Sequence, residues 1–267
     1  MTSTTRAEPA APPAFWGVAT LVFALSVAGT IAWSRSMSAM GGMSMPGGWT
    51  LSMAWMLMPG QTWPGVAGSF VGMWMTMMSA MMLPSLAPML WRYRRAVEGP
   101  GRARLGRLTM LAGVGYFVVW AGFGVVAFVL GFALAAAAME QQALARAVPI
   151  AVGAVVLSAG LLQLSRWKAH HLACCREAPG SGRTVRADAA TAWRHGLFLG
   201  LHCGQCNVGL MAVLLVIGVM DLRAMAVVAA AITIERLLPA GERVARATGV
   251  VGVGAGLILV SRAVGLG

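Results

Sequence analysis

An all-α bundle of about seven membrane-spanning helices, with its N-terminus inside, is the fold class this sequence predicts, and three observations carry the prediction. Of 267 residues, 58% are hydrophobic and 10% charged, with a mean hydropathy of +0.76; a soluble domain carries about 25% charged residues. The chain divides into apolar stretches close to the ~20 residues that cross a hydrocarbon core about 30 Å thick. The net charge is +12, and every basic residue except Lys168 is an arginine. These arginines punctuate the apolar stretches instead of gathering beside aromatic or polar readers, which excludes a nucleic-acid partner and suits short loops facing acidic lipid headgroups.

Residues 1–14, rich in proline and alanine, form a leader expected to be disordered, and residues 15–267 a single transmembrane helical domain. Seven stretches in it qualify as spans. The first, 15–33, is long for a signal-peptide core and ends without a small-x-small cleavage site, so it reads as an uncleaved anchor. The second, 68–91, is rich in methionine and carries Pro84 and Pro88 near its end. The third, 108–138, is long enough to tilt or overrun the bilayer. The fourth is 148–164, the fifth 196–220, the sixth 224–238 and the seventh 249–264. Asp221, between the fifth and sixth, is most simply a helix cap in a tight hairpin.

Loop charge supplies the orientation, because arginine and lysine accumulate on the cytoplasmic side of short loops. Counting alternate loops, with Arg6 at the N-terminus, puts sixteen of the twenty basic residues on one side; Arg35, Arg146, Arg223 and Arg262 fall on the other. The expectation is a multi-pass inner-membrane protein with the N-terminus inside and the C-terminus outside.

Four segments carry candidate chemistry. The external loop 34–67 contains Met37, Met40, Met43, Met45, Met53, Met56 and Met58 with no acidic residue. Thioether sulfur selects soft ions such as Cu(I), and the spacing resembles the methionine motifs of copper-uptake and copper-tolerance proteins. The plainer alternative is an interfacial loop anchored by Trp49, Trp55 and Trp63. In the second span Met73, Met77 and Met81 form an i, i+4 row compatible with a relay for a soft ion, although Met75, Met78 and Met82 lie on another side and methionine also fills gaps between helices.

The sharpest signal is His202-Cys203-Gly204-Gln205-Cys206-Asn207. On a helix Cys203 and Cys206 are i, i+3 and His202 and Cys206 are i, i+4, so three ligands for copper, or for zinc with further ligands, are expected on one face near mid-depth, where polar groups are costly. The alternative is a set of interhelical hydrogen bonds. A second group, His170-His171-Leu172-Ala173-Cys174-Cys175, pairs His170 with Cys174 and His171 with Cys175 if the helix continues that far, as an exit or sensing site or as a membrane-surface turn. Glu235 is expected to pair locally with Arg236. Gly249, Gly252, Gly254 and Gly256 mark close helix packing. Nucleotide-binding, serine-nucleophile and zinc-protease motifs are absent from the sequence.

Met78-Ser79-Ala80-Met81-Met82-Leu83-Pro84-Ser85 with Pro88, then Gly200 through Cys203 and Cys206 to Met211, then Glu235-Arg236 with Pro239 and Gly241, together resemble the bacterial family described as predicted metal-binding integral membrane proteins. The resemblance covers the second span to the C-terminus and implies a metal site at Cys203 and Cys206. That family has adjacent cysteines where this chain reads Cys206-Asn207, so the third thiol does not carry over. The leading expectation is a membrane protein that binds a soft transition metal, copper in the first place, for transport, delivery or tolerance. It would exchange the ion with a metal-donor or acceptor protein. A thiol oxidoreductase using Cys203 and Cys206 and a noncatalytic assembly factor are the alternatives.

Overall fold

The computed structural model describes residues 13–39, 41–52, 55–57, 60–97, 101–177, 185–219 and 221–265. The expected leader up to residue 12 and Met40, Met53 and Met58 lie outside the described residues. The fold is all-α, with helices α1 (Pro13–Ala39), α2 (Trp63–Ala96), α3 (Arg102–Glu140), α4 (Gln142–Leu164), α5 (Arg166–Glu177), α6 (Ala189–Ile217), α7 (Leu222–Leu237) and α8 (Gly241–Ala263). Six of these, α1, α2, α3, α4, α6 and α8, are long and apolar enough to cross a membrane. They contain the first four expected spans and cover most of the fifth, expected to reach residue 220, and of the seventh, expected to reach 264. The expected sixth is α7, whose 16 residues extend only about 24 Å at 1.5 Å per residue.

Caps and breaks in the sequence set the helix ends. Asp188 caps α6 by accepting from the Thr191 backbone N–H at 2.8 Å, and that bond, with one from the Thr191 hydroxyl, holds its carboxyl below the usual range. Asp221 caps α7 as expected, accepting from the N–H groups of Arg223 and Ala224. Gly218 turns the tight α6–α7 link at a φ of 144°, a conformation open to glycine. Between α4 and α5 the chain swings at Ser165 into extended backbone (ψ 154°); its hydroxyl then accepts from the Lys168 N–H. Without that break Lys168 would continue the axis of α4 instead of turning back across α6.

The loop between α1 and α2 folds into an antiparallel hairpin, β1 (Gly42–Met45) and β2 (Trp49–Ser52), paired Met45 to Trp49 and Gly42 to Ser52. Met45 and Leu51 are buried against Ala135, Ala138 and Ala145, and the Trp49 indole donates to the Ala145 carbonyl at 2.9 Å. The hairpin thus packs on the α3–α4 link. At the opposite end of the bundle Val185 donates to the Ala96 carbonyl at 2.8 Å and Arg104 to the Ala187 carbonyl at 2.7 Å, so the arginine-rich links α2–α3 and α5–α6 meet.

Two helix pairs make backbone-close contacts, α3 with α6 and α4 with α8. On α6, a side chain at Gly200 would meet the Tyr116 carbonyl of α3 at 2.9 Å, and on α4 one at Gly160 would meet the Val253 nitrogen of α8 at 2.5 Å. Small residues let helices approach this closely where no hydrophobic drive separates helix from lipid. The interior is filled by methionines of α2 (Met73, Met77, Met78, Met81, Met82) with Tyr116, Trp120, Cys203 and Cys206. The outside of α3 is apolar as well: Val125, Val126, Val129, Leu130 and Leu134 are all exposed.

Gly160→Leu should therefore overpack the α4–α8 contact, with a loss of about 1–3 kcal/mol read as a lower melting temperature in detergent. Gly254→Leu, where nothing lies within 4 Å, should leave it unchanged. Equal melting temperatures for the two variants would contradict the packing described.

Candidate metal centre

Cys203 and Cys206 share the inner face of α6 and are 1% and 2% exposed. The Cys203 thiol points at the Met82 sulfur of α2 at 3.9 Å. The Tyr116 hydroxyl of α3 lies 2.9 Å from the same Sγ and the Asn207 amide donates to it at 3.4 Å. With the thiol proton directed at Met82, both oxygen- and nitrogen-borne protons are free to point at sulfur, an arrangement that suits a thiolate equally well. The Asn207 Oδ1, on a side chain 1% exposed, has no hydrogen-bond partner among the described residues.

The third thiol comes from α5. Lys168, Leu172 and Cys175 are spaced i, i+4, i+7, the stripe that a helix turns to one side, and all three are buried. Cys175 is the neighbour of Cys206 and receives a hydrogen bond from Arg236 Nη2 at 3.5 Å. Cys174 falls on the other side of α5, half-buried, with its Sγ 3.8 Å from His170 Nε2. The two adjacent cysteines, grouped together in the sequence, thus face different environments.

Charges enclose the thiols. Lys168 and Glu235 form an ion pair at 2.7 Å with side-chain exposures of 2% and 0%. Gln163 donates to the other carboxylate oxygen at 2.8 Å, and the Lys168 ammonium also donates to the Cys206 carbonyl at 2.8 Å. Glu235 is therefore paired across helices with Lys168, not locally with Arg236 as expected. Successive residues on α7 diverge by about 100°, which sends Arg236 toward Ser85 (3.4 Å) and Cys175 instead. Arg236 is 3% exposed. Among the described residues no carboxylate pairs with it, and its Nε has no hydrogen-bond partner. Ser85 sits between Pro84 and Pro88 and donates to the Met82 carbonyl, so the proline-interrupted stretch of α2 forms this wall.

His202 does not join the thiols. Its ring packs on Phe198 (3.8 Å between centroids) and looks across to His171 of α5. Met73, Met77 and Met81 are buried in the core, and the methionine that reaches a thiol is Met82. Of the described loop methionines, Met43 is exposed, Met45 is buried in the hairpin cluster, and Met37 ends within α1. Among the described residues no three His, Cys, Asp or Glu side chains already stand in metal-ligand geometry; the donors that gather at Cys203 include a thioether and a phenol. Sequence reading left out Tyr116, Gln163 and the inward turn of Lys168, whose one signal was its being the only lysine in the chain.

Residues 71–259 match the profile of the family described as PpoB2, copper chaperone. The chain belongs to the copper chaperone family. The match runs from the methionine-rich part of α2 into α8 and takes in every residue of the buried site. No curated protein and no solved structure matches the chain. For a copper chaperone the donor set is apt, since thiol and thioether sulfur are the soft ligands that favour Cu(I).

The ion pair gives a test of how the site is held. Lys168→Met or Glu235→Leu alone leaves a buried partner charge without its counter-ion, at a cost of roughly 3–5 kcal/mol. Lys168→Met combined with Glu235→Leu should recover most of that loss. Denaturant unfolding of the four proteins in detergent measures the coupling; losses that simply add would show the pair does not act as a unit.

Proposed function

We propose that this chain is a membrane-embedded copper chaperone of the inner membrane, whose cargo is Cu(I) held among Cys203, Cys206 and Cys175 with Met82 as a thioether ligand. The observation that carries the reading is the Arg236 guanidinium beside these sulfurs, which no carboxylate among the described residues pairs. An uncompensated buried cation is costly. A Cu(I) ion between two thiolates has a net charge of −1, so it supplies the missing countercharge. The orphaned Asn207 oxygen is a further polar group that an occupant of the site would meet.

The arginine-rich end is then cytoplasmic. Gln163 lies one residue before the end of α4, and Glu235 lies two before the end of α7, so the site sits where both helices stop. From Met82, Tyr116 and Cys203 the helices α2, α3 and α6 each continue 14 residues toward that end, about 21 Å. If the 23 residues of α4, about 34 Å long, cover the bilayer, the sulfurs lie at its inner boundary. The methionines of the outer hairpin would meet copper on the far side. A thiol oxidoreductase must let a partner's disulfide reach its cysteines, and burial of all three thiols speaks against that alternative.

Purified protein in lipid nanodiscs, competed against a Cu(I) chelator, should bind Cu(I) with sulfur in the first coordination shell. Cys203→Ser or Cys206→Ser should weaken this binding by more than about 100-fold, and Met82→Leu or Tyr116→Phe by roughly 10-fold. A Cys203→Ser/Cys206→Ser protein that binds like the wild type would remove the reading; loss of stability without change in copper binding would favour a noncatalytic assembly role.

A further inference from the structure

We infer that His171 and His202 form a second copper site, built from imidazole and partly exposed, on the outer flank of the α5–α6 crossing. The two rings come from different helices and stand 6.4 Å apart between centroids. A metal–nitrogen bond of about 2.0–2.1 Å puts an ion roughly 3 Å from each ring centroid, so one ion fits between them.

Their tautomers are set for this. His171 Nδ1 lies 3.0 Å from the Trp167 carbonyl and His202 Nδ1 lies 3.1 Å from the Phe198 carbonyl. A carbonyl can only accept, so in each neutral ring Nδ1 carries the proton and Nε2 keeps its lone pair. A backbone carbonyl holding the non-ligating nitrogen is the usual support of a metal-bound histidine. Each ring is also braced by an aromatic one turn back, Trp167 at 4.2 Å and Phe198 at 3.8 Å.

The surroundings separate this pair from the sulfur site. His171 and His202 are partly exposed, His170 is exposed, and Trp167 is 39% exposed, whereas the three inner thiols are buried. The donors differ in kind as well: imidazole takes copper in water without excluding harder competitors, and thiol with thioether selects its soft form. Cys174, next in sequence to the buried Cys175, lies on the outer side with His170, so α5 carries donors to both sites. The inference rests on the copper reading for the identity of the ion, and the two are tested separately.

Wild-type protein in nanodiscs should take up two equivalents of Cu(I), with both nitrogen and sulfur seen by X-ray absorption. His171→Gln/His202→Gln should bind one equivalent through sulfur alone. Cys203→Ser/Cys206→Ser should bind one through nitrogen. A second readout needs no variant: in the native protein, the second equivalent of Cu(I) should protect His171 and His202 together from diethyl pyrocarbonate, mapped by mass spectrometry. Unchanged capacity and nitrogen coordination in the histidine variant, or equal modification with and without Cu(I), would overturn the rim site. Unchanged binding in the cysteine variant would instead overturn the sulfur site and leave this one standing.

Discussion

Three charged side chains, Lys168, Glu235 and Arg236, lie almost without exposure inside a bundle that is otherwise apolar, and the rest of the arrangement follows from how they are satisfied. Taking an ion out of water costs several kcal/mol even after the protein relaxes. That cost is met here only by drawing separate helices to one point. Glu235 brings α7 to Gln163 of α4 and Lys168 of α5; Lys168 in turn reaches the Cys206 carbonyl of α6. Arg236, one residue further, reaches Ser85 of α2 and Cys175 of α5. Two consecutive residues of the shortest apolar helix therefore engage three others directly and a fourth, α6, through Lys168, and the thiols are held in the space those links define.

The balance of these charges gives the site its chemistry. Lys168 and Glu235 cancel, which leaves Arg236 with a dipole from Ser85 and a sulfur from Cys175. In a low-dielectric interior this residual charge favours whatever anion can form nearby, and the groups able to become anionic beside it are the thiols and the Tyr116 phenol. Tyr116 and Asn207 aim polar hydrogens at the same Cys203 sulfur. A soft cation between thiolates satisfies both demands, because it keeps the thiolates apart while their net charge still answers the arginine. Apolar replacements of similar size commonly stabilise a protein as much as a buried ion pair does, so the retained charges make better sense as part of a binding site than as structural support.

How much of this was legible in the sequence depends on the range of the interaction. Apolar length is a local property, and it located six long helices, the Asp221 cap and the short α6–α7 hairpin. The i, i+3 spacing likewise placed Cys203 and Cys206 on one inner face; of the α8 glycines expected to mark close packing, Gly249, Gly252 and Gly256 meet α4, whereas Gly254 meets nothing within 4 Å. The break at Ser165 is what hid the third thiol: once α5 turns back across α6, Cys175 and Lys168 go inward together and Cys174 goes outward, a division that i, i+4 pairing of histidines with cysteines could not convey. Glu235 and Arg236 read as a local pair because they are adjacent, yet adjacency on a helix separates side chains by about 100°. His202 was grouped with the thiols by its spacing to Cys206, but Cys203 points toward α2 and α3 while the neighbouring position faces α5. The methionine row Met73, Met77 and Met81 was visible, whereas the choice of Met82 as the thiol's neighbour depends on where α6 crosses α2.

The same crossing explains why a soft-metal site can be both closed and accessible. A sulfur cluster shielded on every side would hold Cu(I) tightly and exchange it slowly, since each ligand must leave before another arrives. Here one wall is α5, a 12-residue helix below the length at which an isolated helix is stable on its own. It is tied to the core by Lys168, Leu172 and Cys175. Cys175 is thus a sulfur carried by the least independently stable element of the site, while Cys203, Cys206 and Met82 stand on long helices braced by glycine contacts. Displacing α5 would break the Lys168–Glu235 ion pair and the Lys168 bond to the Cys206 carbonyl along with its hold on Cys175, and it would carry the His170, His171 and Cys174 face with it. The sulfurs and the histidine face are therefore joined through one short helix.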